Sequence, residues 1–257
     1  MKSNKLPSDN YLNEVPDNDS FLRDRASWID AFQANKKIAE LRSEIFKIAD
    51  ENNFGYHWEW LGVPLIKMPE DILLEQEIIW KLKPKTIVEI GVARGGSLVF
   101  ASSIMESYAD PKVLGIDIKI FAHTHEALSP WTVNQKITLF ESDSLDPKAI
   151  TKFSEFIENA GPTLLILDSN HTHEHVLGEL HSYGPKLSRG SVIIVADTII
   201  ESMPANYYVN RNWNVGNNPQ TALQVFLRSN NNFEISKNWN NRTIIGESNG
   251  GVIVKIS

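Results

Sequence analysis

The sequence predicts an α/β domain, a mostly parallel sheet with helices on both faces, preceded by a helical N-terminal extension. Two patterns in the second part of the chain predict it. After Pro84 short β-branched runs alternate with amphipathic stretches, the mark of βαβ units. Acids and glycines recur at the carboxyl ends of those runs, where open parallel sheets bind ligands. Before Pro84 the apolar residues instead follow helical spacing.

Taken in order, residues 1–20 are polar and rich in Asn, Asp, Ser and Pro, which predicts a flexible arm. Phe21, Trp28, Ile29, Phe32, Ile38, Leu41, Ile45 and Ile48 then recur with charges between them, predicting one or two helices up to about residue 52. Residues 54–68 read as an aromatic-rich loop. A helix follows, with Pro69 suited to its first turn and Glu70 and Asp71 favouring the positive end of its dipole. Strands are predicted over 86–90, 112–118, 136–140, 163–167 and 191–196, and helices over 97–108, 147–159 and 172–187. Beyond Thr198 a loop rich in Tyr, Trp and Asn leads to a helix that Asn218 can cap, with Pro219 as its first residue. Segments 233–236 and 252–256 read as two further strands, an antiparallel finish to a seven-stranded sheet. The organisation is thus an arm (1–20), a helical extension with its aromatic loop (21–83) and one α/β domain (84–257).

Composition removes several function classes. The 257 residues suffice for one large domain with a small extension. The absence of Cys excludes disulfide scaffolds, thiolate zinc sites, iron–sulfur clusters and cysteine nucleophiles. A net charge of −7 with no basic block argues against nucleic acid as a partner. The start of the chain has no apolar core of a signal peptide, and no apolar run reaches the ~20 residues of a membrane span. The expectation is a cytoplasmic protein.

The strand ends carry the chemistry. The first ends in Glu89-Ile-Gly91 and continues Val-Ala-Arg-Gly95-Gly96-Ser97. Glycines there let the backbone approach a ligand, and the next helix aims its amides at negative charge. The spacing is G-x-x-x-G-G rather than that of dinucleotide binders, so an ordinary strand–helix turn is the alternative. Asp117 ends the second strand, suited to the hydroxyls of a ribose or else to capping a turn. Asp143, after the third, lies where a base edge would sit, or caps the next helix together with Ser144. Jointly these three ends fit a nucleoside-type cofactor.

Asp168 and Asp197 end the fourth and fifth strands, adjacent in a parallel sheet, and could share a hard cation such as Mg²⁺. The alternative is one cap and one ordinary ion pair. The run His171-Thr-His173-Glu-His175 is close to the H-x-H-x-D-H run of metallo-β-lactamase-like hydrolases, which would imply zinc or iron. Against that, it stands late in the βαβ series, and only His181 lies downstream. The preferred reading has His171 facing the cleft, with His173 and His175 on the helix surface or in packing.

The segments Tyr56-His-Trp-Glu-Trp-Leu-Gly-Val-Pro-Leu-Ile, Glu89-Ile-Gly-Val-Ala-Arg-Gly-Gly-Ser-Leu, Leu167-Asp-Ser-Asn-His-Thr-His-Glu-His-Val-Leu and Gly216-Asn-Asn-Pro resemble, in order, the cephalosporin hydroxylase family. Despite its name, that family is similar to S-adenosylmethionine-dependent O-methyltransferases, with relatives acting on antibiotics and on sugars such as rhamnose. The resemblance implies a Rossmann-like class I methyltransferase fold, a small-molecule or saccharide acceptor and a homo-oligomer. By motif, Glu89, Gly91, Gly95 and Ser97 would line the methionine portion of the cofactor. Asp117 would bind the ribose and Asp143 would lie near the adenine. Asp168 and Asp197 match metal carboxylates, but the family reads Glu-Asp-Thr where this chain has Ala196-Asp197-Thr198. A methyl group cannot ligate Mg²⁺, so waters or Glu201 would fill the gap, or the metal is weak or absent. Ser142 likewise stands where a Gly is common.

His171 lies three residues after Asp168, as the catalytic lysine follows the metal aspartate in catechol-type methyltransferases. It could accept the acceptor's proton near neutral pH, or only hydrogen-bond the acceptor. Tyr56, Trp58 and Trp213 are the aromatic candidates for the acceptor wall, although for Trp58 and Trp60 the preferred reading is the core that joins the N-terminal helices to the sheet. Two rival functions stand beside methyl transfer. One is a zinc hydrolase using His171, His173 and His175. The other is a non-catalytic subunit that binds the cofactor without turning it over.

Overall fold

The computed structural model describes residues 17–257. The predicted arm therefore lies mostly outside the described residues, and its last part is corrected. Asp17 accepts from the Ser20 amide at 2.8 Å and caps helix α1 (Asn18–Gln33), so residues 18–20 are helical. Helix α2 (Lys36–Glu51) follows, capped by Asn35. α1 buries no side chain and leaves Leu22 and Trp28 exposed, whereas α2 buries Phe46. Polar bonds tie both helices to a distant loop: Gln33 donates to the Lys237 and Asn240 carbonyls, and Arg42 to that of Thr243.

The predicted aromatic loop is more regular than expected. A 3₁₀ turn (Phe54–Tyr56) leads into a hairpin of β1 (Trp58–Trp60) and β2 (Val63–Leu65). Its two-residue turn places both Leu61 (φ 49°) and Gly62 (φ 82°) in the left-handed region, as hairpin turns that match strand twist require. Leu is rare in that conformation, which is why the sequence does not announce the turn. Helix α3 (Pro69–Leu82) starts with its proline as expected.

The main sheet comprises β3 (Thr86–Ile90), β4 (Val113–Asp117), β5 (Ile137–Glu141), β6 (Thr163–Leu167), β7 (Val192–Val195), β8 (Phe233–Ile235) and β9 (Val252–Lys255), in the order β5-β4-β3-β6-β7-β9-β8. The first five are parallel, while β9 pairs antiparallel with β7 and β8. The mostly parallel seven-stranded sheet is thus as predicted. β3, β6 and β7 are buried along their whole length, as strands covered on both faces must be. One face packs α4 (Gly96–Met105) through Leu98, Val99 and Met105. The other packs α6 (Pro147–Phe156), α7 (His173–Tyr183) and α8 (Pro219–Ser229) through Phe153, Leu180, Tyr183 and Phe226. Helix α5 (Ala122–Val133) was not foreseen, because Pro130 interrupts its pattern. Among the described residues no helix is long and apolar enough to cross a membrane.

The chain winds from β3 through β4 to β5 on one side, then returns to β6 and β7 on the other. The switch point therefore lies between β3 and β6, where such sheets open a crevice. Pairing continues past the strands there: Gly91 N–H donates to Ile116 O, and Asp168 N–H to Ile90 O, each at 2.8 Å. Gly91 has φ 101°, and a Cβ on it would sit 1.9 Å from the Asp168 carbonyl oxygen. A side chain cannot be added there without separating the two strand ends.

Candidate functional site

A cavity of about 570 Å³ occupies this edge of the sheet, within the size range of small-molecule and cofactor sites. Every strand-end residue singled out by the sequence borders it: Glu89, Gly91, Gly95, Ser97, Asp117, Asp143, Asp168, His171 and Asp197. Tyr56 and Trp213 border it as well. Trp58 does not; it stacks edge-on against Phe54 at 5.4 Å, so its expected place in the acceptor wall is corrected. Trp60 packs on Phe100 and donates to Ser103, a core position.

In the part built by β3, β4 and β5 the carboxylates are already engaged by the chain. Asp117 accepts from the Val92 amide at 2.7 Å and the Ala93 amide at 3.2 Å, and its other oxygen from the Lys119 amide at 3.1 Å. It therefore pins the glycine turn as well as facing the cavity. Gly95, with φ 86°, caps α4, whose first residues Gly96 and Ser97 border the cavity. Glu89 accepts from Ser97 Oγ at 2.6 Å and faces the buried Lys67 Nζ at 3.6 Å. Asp143 accepts from the Leu145 amide.

Lys67 went unnoticed in the sequence. It is 6% exposed and lies 2.7 Å from Glu75. Burial alone would lower its pKa, but Glu75, Glu89 and Asp168 outweigh that and hold it well above the usual lysine value. Burial pushes Glu89 up to about 7 against the pull of Lys67. The only hint was a lone Lys in the run Leu65-Ile-Lys67-Met68.

The part built by β6 and β7 differs. Asp168, His171 and Asp197 each offer one ligand atom, and these atoms lie within 4.8 Å of one another. Asp197 sits in the left-handed region (φ 55°) just past β7. His171 Nδ1 is 3.3 Å from Asp197 Oδ2, and the imidazole stands edge-on to Trp213 with centroids 4.8 Å apart. The Arg211 guanidinium lies over the Trp213 ring, 5.2 Å from its centroid. Burial, with Asp168 and Asp50 nearby, raises the Asp197 pKa despite His171. Burial with Asp197, Asp71 and Asp168 drives Glu247, another cavity residue, well above the carboxylate range. Glu247 arrives on a loop far along the chain, with no motif to mark it.

Two further expectations are corrected. Glu201 is no donor to the acidic group: it accepts from the Gly216 amide and from Asn218 Nδ2, anchoring the aromatic strap of residues 203–217. The three histidines do not converge either. His173 bonds Thr221 Oγ1, and His175 faces Glu179 and Ser144, leaving only His171 beside the aspartates. That scatter removes the zinc site expected of the alternative hydrolase. The strap itself brings Tyr208, Arg211 and Trp213 to the cavity, and Tyr207 donates to Asp50 of α2.

A profile of the rhamnosyl O-methyltransferase/CmcI family matches residues 52–256. The rhamnosyl O-methyltransferases of Mycobacterium tuberculosis and Mycobacterium bovis are 36% identical to the chain over 149 residues, covering 56% of it and 58% of each relative. That of Mycobacterium leprae is 32% identical over 167 residues, covering 61% of the chain and 70% of the relative. The chain thus spans under two thirds of the length of the first two relatives. An apo structure of CmcI superposes with a TM-score of 0.56 at 23% identity, covering 79% of this chain and 77% of that one. A second CmcI structure, described as holding Mg and SAM, gives 0.53 at 23% identity, covering 79% and 78%. At that identity the likeness is one of fold.

Proposed function

Because the chain belongs to the rhamnosyl O-methyltransferase/CmcI family, we propose that it is an S-adenosylmethionine-dependent O-methyltransferase, assisted by a divalent ion, acting on a hydroxyl of a sugar or specialised metabolite. The observation that carries this reading is the union, in one cavity at the switch point, of the Asp117-pinned glycine turn and the Asp168–Asp197 pair. The relatives named rhamnosyl O-methyltransferases and the CmcI structure described with Mg and SAM support it.

The residues fit both groups. Carboxylates outnumber guanidinium groups around the cavity, which favours a cationic sulfonium and a divalent cation together. Asp168 and Asp197 would hold the ion, since Mg²⁺ takes one or two carboxylates and keeps waters. Gly91, Gly95, Ser97 and Glu89 would line the methionine end, Asp117 the ribose, and Asp143 the adenine. Bound there, the cofactor supplies an electrophilic methyl group, and the ion lowers the pKa of the acceptor hydroxyl. Methyl transfer would form the C–O bond as the S–C bond breaks, and the acceptor's proton would pass to solvent. The chain's contribution is to align donor and acceptor and to exclude water. Tyr56 and Trp213 wall the acceptor's side. His171 keeps a catalytic place: with Nδ1 turned toward Asp197, Nε2 is the nitrogen left for the acceptor.

In this reading residues 84–257 bind the cofactor, while 21–83 complete the acceptor wall from outside the sheet. The exposed Phe21, Leu22 and Trp28 of α1 support a homo-oligomer, and the reading places the reaction in the cytoplasm. Titration calorimetry with S-adenosylhomocysteine, with and without a divalent ion, tests it. Stoichiometric binding is expected in both conditions; no binding in either would remove the proposal.

A further inference from the structure

We propose that His171 is itself a ligand of the ion, so that the site offers two carboxylates and one imidazole and favours Mn²⁺, Fe²⁺ or Co²⁺ over Mg²⁺. This rests on the reading that Asp168 and Asp197 bind a divalent ion.

The spacing is the first argument. The Nδ1–Oδ2 distance of 3.3 Å exceeds the roughly 2.7–2.9 Å of a charge-assisted hydrogen bond. It is close to the separation of about 3 Å between neighbouring donors around a six-coordinate ion with bonds of about 2.1 Å. All three ligand atoms lie within 4.8 Å of one another, so one ion can reach them with small side-chain adjustments. Trp213, edge-on at 4.8 Å and 85°, limits rotation of the imidazole away from this position.

The second argument is elimination among the neighbours. Buried Ala196 precedes Asp197 and has no donor. Glu201 turns its Oε2 to Gly216 and Asn218 and does not border the cavity. Asp71 accepts the Glu247 and Ser248 amides, and Glu75 and Glu89 face Lys67. Neither Glu247 nor Asp50, which accepts from Tyr207, has a ligand atom within the group of three. The imidazole is the donor that remains, and a nitrogen donor shifts preference from Mg²⁺ toward first-row transition ions.

The assignment also fixes what His171 does in the reaction. With Nδ1 on the ion, the neutral ring carries its proton on Nε2. Nε2 then donates to the acceptor oxygen and orients it. The hydroxyl proton departs to solvent once the ion has lowered its pKa, rather than to His171.

Mn²⁺ is the probe. Pulsed electron paramagnetic resonance of the Mn²⁺-loaded protein should show modulation from a directly bound imidazole nitrogen, absent in His171→Ala. Calorimetry should give Mn²⁺ binding ~10-fold or more tighter than Mg²⁺, a gap that narrows in His171→Ala. Ala196→Glu should bring Mg²⁺ affinity up toward that of Mn²⁺. Mn²⁺ bound with no nitrogen coupling would overturn the ligand assignment and leave the ion itself standing. Failure of the protein to bind either ion would overturn both.

Discussion

The two parts of the cavity solve opposite electrostatic problems. On the β3–β5 side the chain answers its own carboxylates: Asp117 with three backbone amides, Glu89 with Ser97 and Lys67, Asp143 with the Leu145 amide. On the β6–β7 side burial and the neighbouring Asp168 raise the Asp197 pKa, burial with Asp197, Asp71 and Asp168 raises that of Glu247, and Lys67 offsets these only in part. The first part is organised before any ligand arrives, which suits neutral hydroxyls and a base edge. The second holds uncompensated negative charge, a cost tolerated at sites that bind cations. Cofactor affinity and turnover should therefore separate along this line.

The largest expected effect is on the acidic side. Asp168→Asn keeps the shape but removes a charged donor, and should lower kcat by ~10³-fold, about 4 kcal/mol of transition-state stabilisation. S-adenosylhomocysteine affinity should stay within about threefold. Steady-state kinetics and calorimetry on the same preparation check both. An equal loss in cofactor binding would erase the distinction between the two parts.

Ion and pH dependence come next. Burial lifts Asp71 to about 7, Glu89 also to about 7, and Glu247 further. Acids with raised folded-state pKa values retain protons that the unfolded chain releases near pH 4. Their stabilising contribution is greatest below that pH and is lost as pH rises through the folded values. The ion-free protein should thus melt at lower temperature at pH 8 than at pH 5.5. Saturating Mn²⁺ at ~100 times Kd contributes about 2.7 kcal/mol, roughly 5–10 °C in Tm at this chain length. The gain should be larger at pH 8, where the carboxylates are free of protons. A gain equal at both values would mean that the ion does not relieve this charge.

How far each part could be read from sequence follows the same division. Gly91, Asp117 and Asp143 were legible because parallel strands put their ends on one edge and period and punctuation reveal the strands. Asp168 and Asp197 were legible for the same reason, and His171 through its offset from Asp168. Lys67, Glu247 and the tie from Tyr207 to Asp50 were not, since each depends on how a segment outside the βαβ series folds back over the sheet. The hairpin of β1 and β2 escaped because Leu61 takes a conformation that Gly or Asn normally signals. Trp58 was misplaced because it shares a strand face with Trp60, and strand alternation alone cannot tell which of the two meets the sheet core and which meets Phe54. α5 was hidden by Pro130.

On the cofactor side, Asp117→Ala should produce the reverse of Asp168→Asn. It removes the acceptor of the Val92, Ala93 and Lys119 amides together with the proposed ribose contact. One hydrogen bond to a charged group is worth about 1.5–3 kcal/mol, so S-adenosylhomocysteine should bind ~10–100-fold more weakly. With cofactor saturating, kcat should change by less than about threefold. A large drop in kcat at saturation would place Asp117 in the reacting geometry and blur the boundary.

The smallest effect tests where the acceptor's wall belongs. Trp213 borders the cavity and is held by the His171 edge at 4.8 Å and the Arg211 guanidinium at 5.2 Å. An aromatic pair and a cation–π contact contribute about 1 kcal/mol or slightly more each. Trp213→Ala should therefore raise the acceptor KM ~5–10-fold and lower kcat modestly, as His171 gains rotational freedom. Trp213→Phe should recover most of both, because the ring face is retained. S-adenosylhomocysteine affinity should be unchanged in either variant, since the carboxylates of the β3–β5 side have their own partners. A cofactor-binding defect in Trp213→Ala would mean that the strap organises the whole cavity and that the two parts are mechanically one.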